Sequence, residues 1–167
     1  MALSRRALLG GGAALGLSAC TGFRALRAAP AAARSARVTG VELIPVRATQ
    51  RTVWLFLRLH TDVGLVGLGE ASDAFGYANT TAEQARQMQA ALRDFAALAS
   101  GHSPLEIARF RQQGRARAAS GGLVAATAFS AIEQALWDLS GRLLEQPVVN
   151  LLGGPLRDRL PIYANIN

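Results

Sequence analysis

From Val38 onward the apolar positions of this chain change period once, from strand-like to helix-like. Val38 to Val46 is a β-branched, apolar run, and Pro45, which cannot donate to a ladder, confines it to a sheet edge or to the strand's end. Thr52 to His60 alternates, with Val53, Leu55, Leu57 and Leu59 on one face against Trp54, Phe56, Arg58 and His60 on the other, which predicts a half-buried strand. Thr61-Asp62-Val63-Gly64 supplies turn chemistry, and Leu65 to Ala71 follows as a third strand. Three strands joined by short loops predict an antiparallel meander.

After Ala71 the pattern becomes helical. Thr80 followed by Glu83, and Ser103 followed by Glu106, are capping-box patterns that predict two helix starts, with Pro104 at the first helical position of the second. A third helix is predicted after Gly121 and Gly122. There Ala125, Ala128, Phe129, Ile132, Ala135, Leu136, Leu139 and Leu143 recur at spacings of three and four, an apolar stripe wide enough to cover a sheet. Pro147 and the Gly153-Gly154 turn mark the exit, and Leu160 to Asn167 reads as a fresh strand. Strands first and helices after predict an α+β domain over residues 38–152, a three-stranded antiparallel meander followed by a helical bundle.

The first 37 residues follow a different logic. Residues 1–19 have a short basic start with Arg5 and Arg6, then an uncharged, Gly- and Ala-rich run of roughly a dozen residues, the length of a signal-peptide apolar region and too short for a stable span. The paired arginines resemble a twin-arginine export signal, and Leu17-Ser-Ala-Cys20 resembles a lipobox that would make Cys20 the lipid-modified first residue of the mature protein. The alternative is an ordinary secretory peptide cleaved within Ala28 to Ala36. Either way residues 20–37 read as a flexible tether, and the expected location is the periplasm or the cell envelope, with membrane contact only through the lipid anchor.

Composition excludes several chemistries. Half of the 167 residues are apolar, enough for a core, and all 18 basic residues are arginine, so this chain supplies neither a lysine base nor a Schiff-base lysine. The formal charge of +7 is spread along the chain. The local cluster Arg109, Arg111, Arg115 and Arg117 reads as a solvated helix face, and no nucleic-acid partner is expected. The single cysteine rules out an internal disulfide and a CxxC metal site. His60 and His102 lack a partner at metal-ligand spacing. Gly64, Gly67 and Gly69 precede no helix start, so a phosphate loop is a poor reading. Glu70 reads as a structural hydrogen-bonding partner and Asp73 receives no catalytic role; Glu133 and Asp138 read as interdomain or capping contacts.

The order sheet, helices, Ala135-Leu-Trp-Asp-Leu139, Pro147-Val, Leu151-Leu-Gly-Gly154 resembles the N-terminal capping domain of the enolase superfamily, in its mandelate racemase and muconate lactonizing enzyme branch. Gly67-Leu-Gly-Glu-Ala71 is similar to the family's Gly-Trp-Gly-Glu-Ala, with Leu68 in place of tryptophan. Arg142 stands where the family usually has lysine, and Glu145 where it often has a glycine closing the helix.

The resemblance implies a (β/α) barrel after the cap, of which this sequence holds only the first strand, at residues 153–167 with their turn. It implies Mg²⁺ held by barrel carboxylates, a barrel base that removes a proton α to a carboxylate, a small carboxylate substrate, and a homo-oligomer when the barrel is present. Racemisation or epimerisation, cycloisomerisation and sugar-acid dehydration all begin with that step. It also implies that neither metal ligands nor catalytic residues lie in this chain, and that two cap loops set specificity: Thr49, Gln50 and Arg51 after strand one, and Ser72, Asp73, Phe75 and Tyr77 after strand three. Arg51 is equally readable as an exposed hairpin arginine, and Phe75 and Tyr77 as ordinary loop packing. The competing class of function is a non-catalytic exported lipoprotein that keeps the cap fold as an interaction module.

Overall fold

The computed structural model describes residues 35–49, 53–72 and 81–163. The expectations placed on Arg5, Arg6, Cys20, Gln50, Arg51, Asp73, Phe75 and Tyr77 lie outside the described residues. Strands β1 (Val38–Arg47), β2 (Val53–Thr61) and β3 (Val66–Glu70) form one antiparallel sheet in the order β1-β2-β3. Its inner face carries the odd-numbered leucines of β2. Leu57 and Leu59 are fully buried opposite Leu43 and Val41, while Trp54 and Arg58 are exposed on the outer face. Pro45 is accommodated because β1 is an edge strand with a neighbour on one side only. Gly64, at φ 79°, closes the β2–β3 turn, and the Thr61 hydroxyl donates to the Leu65 carbonyl (2.8 Å) and accepts from the Leu65 N–H (3.0 Å).

Helices α1 (Ala82–Ala99), α2 (Ile107–Ser120) and α3 (Gly122–Leu144) cover the inner face, followed by a single turn, α4 (Val148–Leu151). The first capping box sits one residue later than expected. The pattern occurs twice in register-shifted form, and Thr81 with Gln84 uses it: the Thr81 hydroxyl accepts from Gln84 N–H (3.2 Å) and the Gln84 side chain accepts from Thr81 N–H (2.9 Å). Glu83 is thereby left to pair with Arg86 at 2.7 Å. The second box closes around a turn instead of a helix start. Ser103 N–H donates to Glu106 Oε1 (3.2 Å), but the Ser103 hydroxyl accepts from Leu105 N–H, so the reciprocal bonds shape a turn and the helix begins only at Ile107.

The predicted stripe of α3 is the spine of the core: Ala128, Ala131, Ile132, Ala135, Leu136 and Leu139 are buried, with Phe95, Met88 and Leu92 of α1 and Phe110 of α2 packed into the same cluster. Phe129 links the helices, stacked on Phe110 at 4.9 Å and edge-on to Phe95 at 5.6 Å. Phe110, the aromatic residue between Arg109 and Arg111, is thus spent inside the core. Arg117 lies 4.2 Å over the Phe95 ring, and Arg111 pairs with Glu133 at 3.4 Å.

Against the sheet, α3 approaches β3 backbone to backbone. A Cβ on Gly67 would sit 2.6 Å from Leu139 Cγ and collide with the Ala135 carbonyl oxygen; one on Gly69 would collide with the Ala131 carbonyl. This is the physical content of Gly67-Leu-Gly-Glu-Ala71. The two glycines face alanines, and Leu68 points to the outer face, about half exposed. α3 ends in a Schellman motif, with Gln146 N–H on the Gly141 carbonyl (2.9 Å) and Glu145 N–H on the Arg142 carbonyl (3.3 Å). Glu145 takes the left-handed position itself, at φ 52° and ψ 41°. Beyond Gly153 and Gly154, Leu160 to Tyr163 are exposed, form no strand and pair with none among the described residues, and the rest of the strand expected over 160–167 lies outside them.

Candidate functional site

β1 ends, β2 begins and β3 ends at one edge of the sheet, since Arg47 lies opposite Val53 and Glu70 opposite Phe56. The connection after β1 and the chain after β3 therefore emerge side by side. Of the seven loop residues expected to set specificity, Thr49 and Ser72 fall within the described residues. Thr49 is exposed just past β1, and Ser72 is half-buried just past β3. Ser72 is largely committed to structure: its hydroxyl donates to Glu70 Oε1 (2.6 Å) and accepts from Leu55 N–H (3.1 Å), tying the exit of β3 back to the sheet. Glu70 thus acts as the hydrogen-bonding partner its position suggested.

The free edge of β3 is closed by α3. Leu68 N–H donates to Asp138 Oδ2 (2.9 Å) and Glu70 N–H donates to Gln134 Oε1 (3.3 Å). The spacing explains itself, because four residues of helix rise about 6.0 Å and two residues of strand about 6.6 Å. An i, i+4 pair of acceptors matches alternate amides on an edge strand, and Ala131 and Ala135 match Gly69 and Gly67 in the same way. Asp138 also receives Arg142 at 3.0 Å, so the family's usual lysine is replaced by a cation that pairs within the helix. Glu133 accepts from Trp137 Nε1 at 3.4 Å as well as meeting Arg111. On the outer face Glu42 meets His60 (3.2 Å) and Arg58 (3.5 Å), and His102 lies 3.5 Å from Glu106.

Two recesses open at the loop edge. A cavity of about 490 Å³ lies between the sheet and α1, lined by Leu43, Leu55 and Met88 with Gln89 and Arg93 on its wall. A second, of about 380 Å³, lies between the end of β3 and the first half of α3, lined by Glu70, Ser72, Thr127, Ser130 and Gln134. Sequence reasoning missed Thr127, Ser130 and Gln134. The signal was their spacing of three and four on the polar side of the stripe, next to a strand ending in Glu70. No group of three His, Cys, Asp or Glu side chains that could hold a cation occurs among the described residues.

Residues 33–153 match the family described as "Mandelate racemase / muconate lactonizing enzyme, N-terminal domain". A D-galactonate dehydratase from Verminephrobacter eiseniae is 39% identical over 112 residues, which is 66% of this chain and 27% of that protein. A magnesium-complexed mandelate racemase/muconate lactonizing protein from Paracoccus denitrificans superposes with TM-score 0.60 at 31% identity, over 76% of this chain and 33% of its own. An enolase from Agrobacterium radiobacter, with bound sodium and L-malate, superposes with TM-score 0.63 at 27% identity, over 76% and 30%. The chain thus spans about a quarter to a third of the proteins it matches.

Proposed function

Because this chain belongs to the mandelate racemase/muconate lactonizing enzyme family of the enolase superfamily through its N-terminal domain, we propose that residues 38–152 form the lid over the barrel of a Mg²⁺-dependent enzyme that acts on a hydroxylated carboxylic acid. The observation that carries this reading is topological. The β1–β2 connection and the chain leaving β3 emerge at one edge of the sheet, so a single face of the domain can cover a barrel mouth and touch the end of a substrate distant from its reacting carbon. Covering the mouth excludes water and strengthens the electrostatics beneath it, which serves rate as well as substrate choice. The described residues hold no group that fits a Mg²⁺ site; in this reading the ligands and the base that removes the α-proton are supplied by the barrel, and no step of the chemistry is assigned to this chain. Among the reactions open to the family, the D-galactonate dehydratase relative favours dehydration of a sugar acid.

The test is a pair of assays. The protein with its barrel should dehydrate a sugar acid such as D-galactonate only with Mg²⁺ present, and the 167-residue chain should turn over none. In the former, Arg51→Ala should change the ratio of kcat/KM between acids that differ at the distal end while leaving the Mg²⁺ requirement alone. Turnover by the 167-residue chain, or sugar-acid turnover indifferent to Mg²⁺, refutes the reading.

The N-terminal expectations join it as part of the same proposal. Residues 1–19 direct export through Arg5 and Arg6, Cys20 carries the lipid, and the protein with its barrel assembles as a homo-oligomer; of the tether expected over residues 20–37, the end is already part of the lid, with Ala36 buried and Arg37 N–H on Asp62 Oδ1 (2.7 Å). Cys20→Ala should move the protein from the membrane to the soluble fraction, and an unmodified Cys20 in the wild-type mass spectrum would remove the anchor.

A further inference from the structure

The recess between the end of β3 and the first half of α3 is set apart by what its side chains leave unused. Elsewhere the helix hydroxyls are spent: Ser120 donates to the Ala116 carbonyl (3.1 Å) and Ser140 to the Pro104 carbonyl (3.0 Å). Thr127 and Ser130, one turn apart on α3, make no hydrogen bond to any described residue. Gln134 uses only its carbonyl oxygen, on Glu70 N–H, which leaves both N–H groups of its amide to the recess. Glu70 uses Oε1 on Ser72 and keeps Oε2. Among the described residues the lining offers two hydroxyls, an amide donor pair and one carboxylate oxygen, in a volume of about 380 Å³, and no described arginine contributes to it.

That set selects for a class of ligand. A carboxylate or phosphate would meet the Glu70 charge with no cation among the described lining residues to offset it. An apolar group would bury polar atoms unpaired. Vicinal hydroxyls fit, because each is donor and acceptor at once: they donate to Glu70 Oε2 and exchange bonds with Thr127 Oγ1, Ser130 Oγ and the Gln134 amide. Resting on the reading of the domain as a lid over a sugar-acid enzyme, we infer that this recess binds the neutral, hydroxylated end of the substrate, with Thr127, Ser130 and Gln134 as specificity residues of α3 in addition to the loops. The charged end of such an acid then points away from Glu70.

The experiment reads binding without turnover. The full chain, labelled with ¹⁵N, is titrated with galactitol, a neutral six-carbon polyol, and separately with D-galactonate, while the Gln134 side-chain amide and the Thr127 and Ser130 backbone amides are followed. Saturable shifts with both ligands are expected. The double variant Thr127→Val/Ser130→Ala, at polar positions of α3 that make no hydrogen bond to a described residue, should keep its Tm and weaken both affinities about ten-fold, as two lost hydrogen bonds imply. In the protein with its barrel the same variant should raise KM for D-galactonate by a similar factor at unchanged kcat, and leave KM for glycerate, which has a β-hydroxyl to lose but no hydroxyls beyond it, where it was. Binding of galactonate without galactitol, no saturable shift with either, or shifts indifferent to the double variant each overturn the recess. An enzyme that dehydrates no sugar acid removes the proposed function instead, and the galactitol titration still decides the recess.

Discussion

On the side of α3 that runs along β3, the two halves of the helix do opposite things, although Ala128 and Phe129 of the first half belong to the core on the other side. From Ala131 onward its side chains are committed to the fold: Ala131 and Ala135 meet glycine backbone, Gln134 and Asp138 close the edge of β3, Ser140 reaches the α1–α2 connection, and Arg142 folds back onto Asp138. Before it, Thr127 and Ser130 face a recess and bond to nothing described. One helix thus carries a seam with no space and a surface with unspent hydrogen bonds, joined at Gln134, which serves both. The contrast teaches where to look for function in a small domain: polar groups that the fold has not already used are the ones left for a ligand.

The seam is where the contrast should break most violently. Gly69→Ala places a Cβ against the Ala131 carbonyl, and neither a strand held on β2 and bonded to Gln134 and Asp138 nor the middle of a long helix yields easily. Overpacking of this kind is expected to cost about 3 kcal/mol in urea unfolding, with Gly67→Ala close behind. A loss below about 1 kcal/mol would mean that α3 shifts off the sheet freely and that the seam is not tight.

Asp138→Ala comes next. It strips the acceptor from Leu68 N–H and releases Arg142, and the edge amide then turns to water, so a cost of about 1–2 kcal/mol is expected. Asp138→Asn keeps an acceptor oxygen and should recover about half of it. Equal losses in the two variants would show that charge, rather than the hydrogen bond on β3, is what Asp138 contributes.

The seam was partly legible in the sequence. The alternation of β2 and the stripe of α3 gave their elements to within a residue or two, because hydrophobic period depends only on which face is buried. The capping boxes were legible in kind and not in place. Thr80 and Thr81 both satisfy the pattern, and Ser103 with Glu106 makes its bonds around a turn instead of a helix start. The pairing of Gly-x-Gly with Ala-x-x-x-Ala was present in the letters, but it becomes visible only when the axial rises of helix and strand are set side by side. The recess was not legible, since Thr127, Ser130 and Gln134 read as ordinary polar positions until Glu70 is placed beside them.

At the C-terminal end of α3 the effect should change sign. Glu145 holds the left-handed conformation that glycine adopts freely, and its N–H is already committed to the Schellman bonds. Glu145→Gly keeps those bonds and removes the strain on Cβ, so a gain of about 1 kcal/mol is expected. Thermal unfolding checks it, and a loss would show that the Glu145 side chain makes a contribution larger than the strain.

The smallest effect sharpens the comparison most. Ser130→Ala and Thr127→Val remove groups for which the fold has no use, and alanine is the better helix former at an exposed site, so each should stay within about 0.5 kcal/mol of wild type. Ser140→Ala, the same chemical change ten residues further along the helix, leaves the buried Pro104 carbonyl without its donor and should cost about 1–2 kcal/mol. If Ser130→Ala costs as much as Ser140→Ala, the hydroxyls of the first half are structural after all, and the recess loses the unspent groups on which its ligand depends. If the two separate as expected, stability tracks the seam alone, and whatever the Thr127→Val and Ser130→Ala variants change in substrate affinity is assignable to the recess rather than to a loosened fold.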